Sequence, residues 1–372
     1  MIFTEEQELF RQSVREFAEN ELAPLVPEIL ETNTYPPELL KKAAELGILG
    51  ANYPEEWGGL GLGQVEVCII FEEICKVCPG FGLSIEILLV SASHFVDAPI
   101  RDKYLPALLA GETALGSGAT PPTGQANGTE SKLFFTKTDG GYIANGTRLY
   151  ATNHIGDVVY CYGPDEEGNT RYAFFEKGME GFEVLPNDKK IGMAGNNGGT
   201  MVFKDVFVPE EMTGVTGVGS GDVYYQVYDG CAAEALGCAK GLYEKALEWC
   251  KTRTHNFKPL TSMTAVSHKL AELEMSIIAA EALIYDCAML NDEYYRNHDE
   301  EVGERWRKTA EATKVVASEM LVPVAYECMK LFGGIGYHDP NIWHYMGDQL
   351  NYTHMDITNE IHYGSMAALM GL

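Results

Sequence analysis

Two carboxylates stand in apolar stretches where they could act as an acid or a base. Glu86 lies in FGLSIEILLVSAS, and Asp356 lies in MDITNEI. Loss of water raises the pKa of a carboxyl group, which suits a general base near neutral pH. An unpaired buried carboxylate is costly, so Glu86 is functional, paired, or on a solvated helix stripe. For Asp356 three readings stay open: a base, a shortened relic of one, or a polar residue on a surface helix.

The charge balance narrows the possible partners. The chain has 27 Lys and Arg against 54 Asp and Glu, a formal charge of −27, which repels nucleic acid and anionic membranes. No apolar run reaches the roughly 18 residues of a membrane span. The first residues, MIFTEEQELF, are acidic and amphipathic and are not a signal peptide. We therefore predict no nucleic-acid partner, no integral membrane segment and a cytoplasmic location.

The nine cysteines predict a reduced interior rather than a metal site. They are odd in number, scattered, and mostly in apolar surroundings, which is typical of small buried side chains. Cys75 and Cys78 form a CxxC-like pair, but no second pair or histidine cluster accompanies it. We predict no bound metal.

Three successive residue patterns along the chain indicate the secondary-structure elements that must position the carboxylates. A length of 372 residues predicts two or three domains. Helical spacing of apolar residues, with Thr4 as N-cap of the first helix, gives way to short β-branched and aromatic runs and then returns. The fold class predicted is mainly α with an inserted β-domain. The predicted domains are an N-terminal α-helical domain (1–111), a central β-barrel or sandwich (112–218) and a C-terminal four-helix bundle (219–372), with helices near 222–254, 259–295, 300–333 and 342–369.

Seven short motifs occur in a fixed order along the sequence. They are YPEEWGGLGLG (53–63), GYIANGTRLYATN (141–153), FKDVFVP (203–209), RTHNF (253–257), LAELEM (270–275), LFGGIGY (331–337) and MDITNEI (355–361). In this order and spacing the chain resembles the acyl-CoA dehydrogenase family over nearly its whole length. The resemblance implies the same three-domain fold and a homo-oligomer, usually a tetramer. It also implies FAD bound between the β-domain and the bundle, with a neighbouring subunit completing the adenine side.

The resemblance also implies cofactor contacts. LYATN places Tyr150, Ala151 and Thr152 beside the flavin, and Thr120 stands at a second flavin contact. Arg253 corresponds to the arginine that reaches the FAD pyrophosphate, for which a guanidinium fork is suited. The remaining cofactor positions implied are Gly333, Gly334, Thr358 and Glu360. The two glycines also read as helix C-caps, and the two roles are compatible.

Three further positions are implied on the substrate side. Asp229 corresponds to an acidic residue on the CoA side, and Ala126 stands near the pantetheine. Ile357 replaces the glycine past which the family's thioester runs. Ala126 and Ile357 both depart from the family's residue types.

The family chemistry is removal of an α-proton by a carboxylate while the β-hydrogen leaves as hydride to FAD. Asp356 stands where common members have a glutamate and is one methylene shorter, about 1.3 Å less reach. Three readings follow: Asp356 is the base for a displaced α-carbon, Glu86 has become the base, or neither acts. A relocated carboxylate would suit a cyclic or branched acyl group.

Two function classes therefore remain. The first is an FAD-dependent acyl-CoA dehydrogenase that passes electrons to electron-transfer flavoprotein, or the same site running in reverse as an enoyl-CoA reductase. The second is a catalytically silent scaffold subunit. It is motivated by positions whose residue type departs from the family pattern, such as Pro121, Ala232 and Gly347. We prefer the enzyme because Thr152, Arg253 and the double glycine are kept together.

Overall fold

A computed structural model describes residues 3–96, 98–124, 133–215 and 222–372 of the chain. The helices that precede the first strand are α1 (Glu5–Phe17), α2 (Val26–Thr32), α3 (Glu38–Glu45), α4 (Gln64–Cys75), α5 (Pro79–Leu89) and α6 (Ala98–Leu109). The predicted N-cap is confirmed, because the Thr4 hydroxyl accepts a hydrogen bond from the Gln7 N–H and the Gln7 side chain accepts one from the Thr4 N–H. Reciprocal bonds of this kind satisfy two otherwise free donors at a helix start.

Helices α4 and α5 form the centre of the helical part. All residues of α4 except Glu66, and all of α5 except Ile87, are buried. A helix that is enclosed on every side lies in the core rather than on the surface. The solvated-stripe reading of Glu86 is therefore wrong, since α5 has no solvated stripe.

A charge network ties α4 to its neighbours. Glu72 is fully buried and accepts hydrogen bonds from Lys240 Nζ at 2.8 Å and from the Tyr285 hydroxyl at 2.6 Å. Arg11 Nη2 lies 3.5 Å from the same carboxylate. Burial alone would raise the pKa of Glu72, but Lys240, Arg11 and Lys76 outweigh burial and lower it. The buried charge of Glu72 is thus paired.

The central strands build two four-stranded sheets among the described residues. One has the order β1 (Leu115–Gly118), β4 (Val158–Pro164), β5 (Thr170–Glu176), β8 (Thr213–Val215), with β1 parallel to β4. The other has the order β2 (Leu133–Thr138), β3 (Gly141–Ala151), β7 (Gly199–Pro209), β6 (Phe182–Val184) and is antiparallel. In β2 the buried Leu133 and Phe135 alternate with the exposed Phe134, as expected for a sheet with one buried face.

The C-terminal part is helical again. Its elements are α7 (Asp222–Thr252), the short hairpin β9 (Thr254–His255) and β10 (Lys258–Pro259), α8 (Thr264–Asn297), α9 (Glu300–Phe332), α10 (Gly334–His338), α11 (Pro340–Tyr352) and α12 (Asn359–Leu369). The predicted fold class, mainly α with an inserted β-domain, is confirmed. The predicted boundary near 111/112 falls between α6 and β1, and the one near 218/219 lies outside the described residues.

One predicted element is wrong. The apolar spacing over 342–369 predicts a single helix, but α11 ends at Tyr352 and α12 begins at Asn359. Asp356 has φ +61°, which a right-handed helix cannot contain. The break places this carboxylate in a connection rather than on a helix surface.

The nine cysteines, all at described positions, are buried and form no disulfide. Within the described ranges, none of the helices is long and apolar enough to cross a membrane.

Candidate active site

Three carboxylates from distant parts of the sequence meet in one buried region. Glu86 comes from α5, Glu234 from α7 and Asp356 from the α11–α12 connection. The charges of Asp356 and Glu234 act on Glu86, and the charge of Asp356 acts on Glu234. The sequence analysis identified two members of this cluster and missed Glu234.

Two glycines allow α5 and α7 to pack closely against α4 beside the carboxylates. A methyl group on Gly82 of α5 would lie 2.2 Å from Cys75 Sγ and 3.7 Å from Glu234 Oε1. One on Gly230 of α7 would lie 3.0 Å from the Phe71 ring and 3.6 Å from Glu86 Oε1. Each glutamate thus lies against a glycine of the opposite helix, and a larger residue at either position would press on the α4 side chains Cys75 or Phe71.

The two glutamates are buried and Asp356 is half-buried, and several of their oxygens lack partners. Glu86 is 1% exposed and Glu234 is 0% exposed. Within the described part of the chain, Glu86 Oε1, both oxygens of Glu234 and Asp356 Oδ2 are buried without a hydrogen bond. The Tyr352 hydroxyl favours the charged form of Glu234, but it too lacks a partner of acceptable geometry among these residues. Unsatisfied buried polar atoms are rare and point to a missing ligand or a catalytic role.

The three pKa values separate the roles of the carboxylates. Burial, with the nearby charge of Asp356, raises the pKa of both Glu86 and Glu234 well above the usual range. Burial raises the pKa of Asp356 only to about 6, because Lys314, Cys231 and His362 favour its charged form. Lys314 and His362 thus favour the ionised form of Asp356, whereas burial favours the protonated form of both glutamates.

The Asp356 backbone forms a strained turn. The Ile357 N–H donates to the Met355 carbonyl at 2.7 Å across Asp356, whose φ is +61°. Such a bond around a residue with positive φ defines the less common, strained form of γ-turn. Strain of this kind costs about 1–3 kcal/mol and is concentrated at functional sites. It turns the carboxylate away from the helical path that the sequence predicts.

Buried Lys314 of α9 holds this turn in place. Its ammonium donates to the Ile357 carbonyl at 2.7 Å and to Asn359 Oδ1 at 2.9 Å. Asn359 Nδ2 in turn donates to Ser318 Oγ at 3.1 Å. Lys314 therefore fixes the backbone beside Asp356 and also supplies positive charge to it, a role that the sequence analysis missed.

Asn153 connects the β-domain to the helix that carries Glu86. Its side-chain amide donates to the Ser84 carbonyl at 2.7 Å and to the Leu115 carbonyl at 3.0 Å, and it is 1% exposed. Ser84 lies two residues before Glu86 on α5. The end of β3 is thus fixed against α5.

The residues predicted to contact the flavin lie along this end of β3. Backbone bonds join Thr152 N to Ser117 O at 2.9 Å and Leu149 N to Thr120 O at 2.8 Å. The hydroxyls of Thr120 and Thr152 have no hydrogen-bond partner among the described residues, and Tyr150 is 71% exposed. This edge therefore offers free donors and an accessible ring, as a flavin site requires, with the buried Ala151 between them.

Thr358 and Glu360 lie at the start of α12, close in sequence to Asp356. Thr358 is the N-cap residue, and its side chain makes no capping bond. Glu360 is exposed in the first turn. Both are open to a ligand.

Arg253, Gly333 and Gly334 lie at the other end of the bundle. Trp249 Nε1 donates to the Leu331 carbonyl at 3.2 Å, which brings the ends of α7 and α9 together. Arg253 follows Glu234 by 19 residues, or roughly 28 Å along a helix axis. Arg253 is exposed and Gly333 adopts φ +64° after the last turn of α9. A phosphate contact at Arg253 is thus far from the carboxylates of the same subunit.

Two predicted substrate residues are placed differently from the expectation. Asp229 is fully buried, and its oxygens accept from Cys287 Sγ at 2.9 Å and Trp306 Nε1 at 3.2 Å, so it is not presented to CoA. Ile357 packs against the cluster around Trp306 rather than standing free in a thioester path. Ala126 lies outside the described residues.

The missed residues carried different amounts of signal. Glu234 stands in CAAEALGC, a lone carboxylate in an apolar run, as Glu86 does in its own run. That pattern was sufficient to find it. Lys314 and Asn359 lie in ordinary amphipathic sequence, and nothing in their spacing predicts the pair.

Comparison with known proteins identifies the family of the chain. Residues 4–112 match the family description "Acyl-CoA dehydrogenase, N-terminal domain" and residues 230–370 match "Acyl-CoA dehydrogenase, C-terminal domain". The short-chain-specific acyl-CoA dehydrogenase of Clostridium acetobutylicum is 31% identical over 90% of this chain and 89% of its own. A 3-(aryl)acrylate reductase of Clostridium sporogenes is 27% identical over 91% and 90%.

A solved structure matches over the entire chain. The butyryl-CoA dehydrogenase of Megasphaera elsdenii superposes with a TM-score of 0.86, at 27% identity and over 100% of both chains. The likeness in sequence and in fold confirms the resemblance drawn from the seven motifs. The chain belongs to the acyl-CoA dehydrogenase family.

Proposed function

We propose that the protein oxidises an acyl-CoA thioester with Asp356 as the base that removes the α-proton. Membership of the family confirms the enzyme class, an FAD-dependent oxidoreductase. The observation that carries the choice of base is the contact of the Lys314 ammonium with the Ile357 carbonyl at 2.7 Å, which places a positive charge beside Asp356 and favours its ionised form. Burial favours the protonated form of Glu86, the second candidate, and a protonated carboxyl cannot accept a proton.

Thr120, Tyr150 and Thr152 would hold the flavin ring beside the end of β3, with Thr358 and Glu360 on the α12 side. Arg253, Gly333 and Gly334 would hold the pyrophosphate and adenine side of FAD bound to a neighbouring subunit, given their distance from Asp356. This assignment requires a homo-oligomer, with a tetramer as the family's usual form. When bound, FAD accepts the β-hydrogen as hydride.

The work of this chain's own residues is to prepare the base and exclude water. The γ-turn and Lys314 fix the carboxylate, and burial raises its pKa so that it accepts a proton more readily than an exposed aspartate does. Because the turn repositions the main chain, the missing methylene of Asp356 need not leave it short of the α-carbon. Electrons then pass to electron-transfer flavoprotein, the partner that we propose for a soluble acyl-CoA dehydrogenase of this family.

The reverse direction is the second candidate. A base with a pKa of about 6 is protonated in part of the population near neutral pH and can return the proton to a double bond. The relative named 3-(aryl)acrylate reductase supports a reductive direction within the family. The potential of the electron partner decides between the two.

Anaerobic titration tests the proposal. Purified protein is mixed with straight-chain, branched, cyclic and aryl-substituted acyl-CoAs, and bleaching of the flavin absorbance is followed for wild type, Asp356→Asn and Glu86→Gln. We expect bleaching that Asp356→Asn abolishes and Glu86→Gln largely keeps. The matched control is Asp286→Asn, since the Asp286 side chain on α8 is half-exposed and its ion pair among the described residues is with Arg305.

The other outcomes are equally informative. Loss of bleaching in Glu86→Gln alone, with a cyclic substrate preferred, would assign the base to Glu86. A protein that neither carries nor takes up FAD would favour the catalytically silent scaffold subunit over the enzyme. Rapid oxidation of reduced flavin by enoyl-CoAs, with no bleaching by saturated ones, would favour the reductase.

A further inference from the structure

Glu234 is a buried carboxyl group that the proposed reaction does not use. It lies on α7 with 0% exposure, and neither of its oxygens has a hydrogen bond among the described residues. Glu86, across the α5–α7 contact, has one oxygen in the same state. Such atoms carry the full cost of desolvation unless a ligand supplies the partner.

Other buried carboxylates in this chain are paired. Glu72 is bonded to Lys240 and Tyr285, Asp229 to Cys287 and Trp306, and Glu311 to His362. Among the buried carboxylates of the described residues, unsatisfied oxygens are therefore a feature of Glu86 and Glu234.

We propose that Glu234, together with Glu86, selects acyl-CoA substrates whose acyl chain carries an uncharged hydrogen-bonding group, such as a hydroxyl. This inference rests on the proposed function, because it assigns the region beyond Asp356 to the acyl chain. Glu234 is a specificity residue in this scheme, and Asp356 remains the base.

The chemistry of the pair favours an uncharged group over a charged one. A protonated carboxyl donates one hydrogen bond and accepts others, which matches a hydroxyl on both counts. An anionic group would meet the negative charge of Asp356. Lys314, the buried cation near Asp356 among the described residues, already donates to Ile357 and Asn359. An apolar chain end would leave the carboxyl oxygens unsatisfied, which is the basis of strong discrimination in polar pockets.

Matched pairs of thioesters test the proposal. Calorimetry measures the Kd of butanoyl-, hexanoyl- and octanoyl-CoA against their ω-hydroxy counterparts, and of a phenylpropanoyl-CoA against its hydroxyphenyl form. We expect at least one pair in which wild type binds the hydroxylated member about tenfold more tightly or better. Glu234→Gln keeps that ratio, because a neutral amide also donates and accepts. Glu234→Leu reduces it to about twofold or less.

Glu244→Gln is the matched control, since Glu244 lies on the same helix with an exposed side chain, and it should retain the wild-type ratio. Thermal melts show whether Glu234→Leu is folded, and Glu234→Ala replaces it if leucine does not fit. A wild-type ratio near or below one in every pair overturns the proposal, as does a ratio that Glu234→Leu leaves unchanged. Tighter binding of an ω-amino analogue than of the hydroxyl form also overturns it.

The same samples separate this inference from the proposed function. If hydroxylated thioesters bind more tightly but no thioester bleaches the flavin, the specificity role stands and the dehydrogenation fails. If plain thioesters bleach the flavin without any preference for the hydroxyl, the dehydrogenation stands and the role of Glu234 fails.

Discussion

Replacing Lys314 by methionine is expected to shift the pH dependence of the reaction to higher pH. Burial raises the pKa of Asp356 to about 6, and three groups oppose that rise. Lys314 lowers the pKa most, followed by Cys231 and His362. Glu86 and Glu234 also face this carboxylate, and burial raises the pKa of both. Removing the lysine charge leaves burial less opposed, so the pKa of Asp356 rises.

The size of the shift follows from the proximity of the two groups. A nearby opposite charge commonly moves a carboxyl pKa by about 1–3 units. The base must be ionised to act, so activity rises with pH through the pKa of Asp356. With a rise of about 1 unit, the rate at pH 6 falls several-fold and approaches tenfold at lower pH, while the rate well above the new pKa changes little.

Lys314→Met should also loosen the turn. The Ile357 carbonyl loses its lysine partner, whereas Asn359 keeps Ser318, so we expect about 1–3 kcal/mol less free energy of unfolding. The assay is the pH profile of the initial rate with electron-transfer flavoprotein or a dye as acceptor, together with urea unfolding. Lys308→Met, an exposed lysine on the same helix, is the control. An acid limb that stays at the wild-type pH in folded Lys314→Met would refute the coupling between Lys314 and Asp356.

Three further perturbations test the site. Asp356→Asn should raise the free energy of unfolding by up to about 3 kcal/mol at pH 8 and by little at pH 4. Ionising a carboxyl whose pKa is about 6 rather than 3.8 costs the folded state about 1.4 kcal/mol per pKa unit, and asparagine removes that cost. Urea titrations at the two pH values measure this difference. Asn153→Ala removes the donor to Ser84 and Leu115 and should cost on the order of 2 kcal/mol in the same assay, whereas the exposed Asn145→Ala should cost less. Arg253→Gln should weaken FAD retention about tenfold in equilibrium dialysis, and excess FAD should restore the rate.

The sequence predicted the architecture because its signals are local. Thr4 and Gln7 lie three residues apart, and the alternating side chains of β2 are neighbours in the chain. Helix periodicity over 222–252 or 300–332 needs no knowledge of the partner helix. The failure at 342–369 has the opposite cause. The break is held by Lys314, some forty residues earlier, and no local pattern reports a bond of that range.

The candidate active site was predictable only in part, because its contacts also join residues that are far apart in the sequence. Asp356 and Glu86 were found by motif and by an unusual charge in an apolar run, and Glu234 has the second of these signals. What no run of residues discloses is that the three side chains meet. The pKa order that separates base from acids depends on Lys314, which is placed by tertiary packing.

The arrangement of charge suggests how the fold tolerates an unfavourable site. Unsatisfied carboxyl oxygens and the strained turn at Asp356 both destabilise the folded state, each by an amount on the order of 1–3 kcal/mol. Glu72, one helix away from Glu86, is buried just as deeply but is bonded to Lys240 and Tyr285. These bonds join α4 to α7 and α8, and the positive charges around Glu72 lower its pKa. Because α4 packs against both α5 and α7, the paired network restrains the two helices that hold the unpaired glutamates. A ligand that formed hydrogen bonds with Glu234 would then stabilise the fold at a buried carboxyl group whose two oxygens have no hydrogen bond among the described residues.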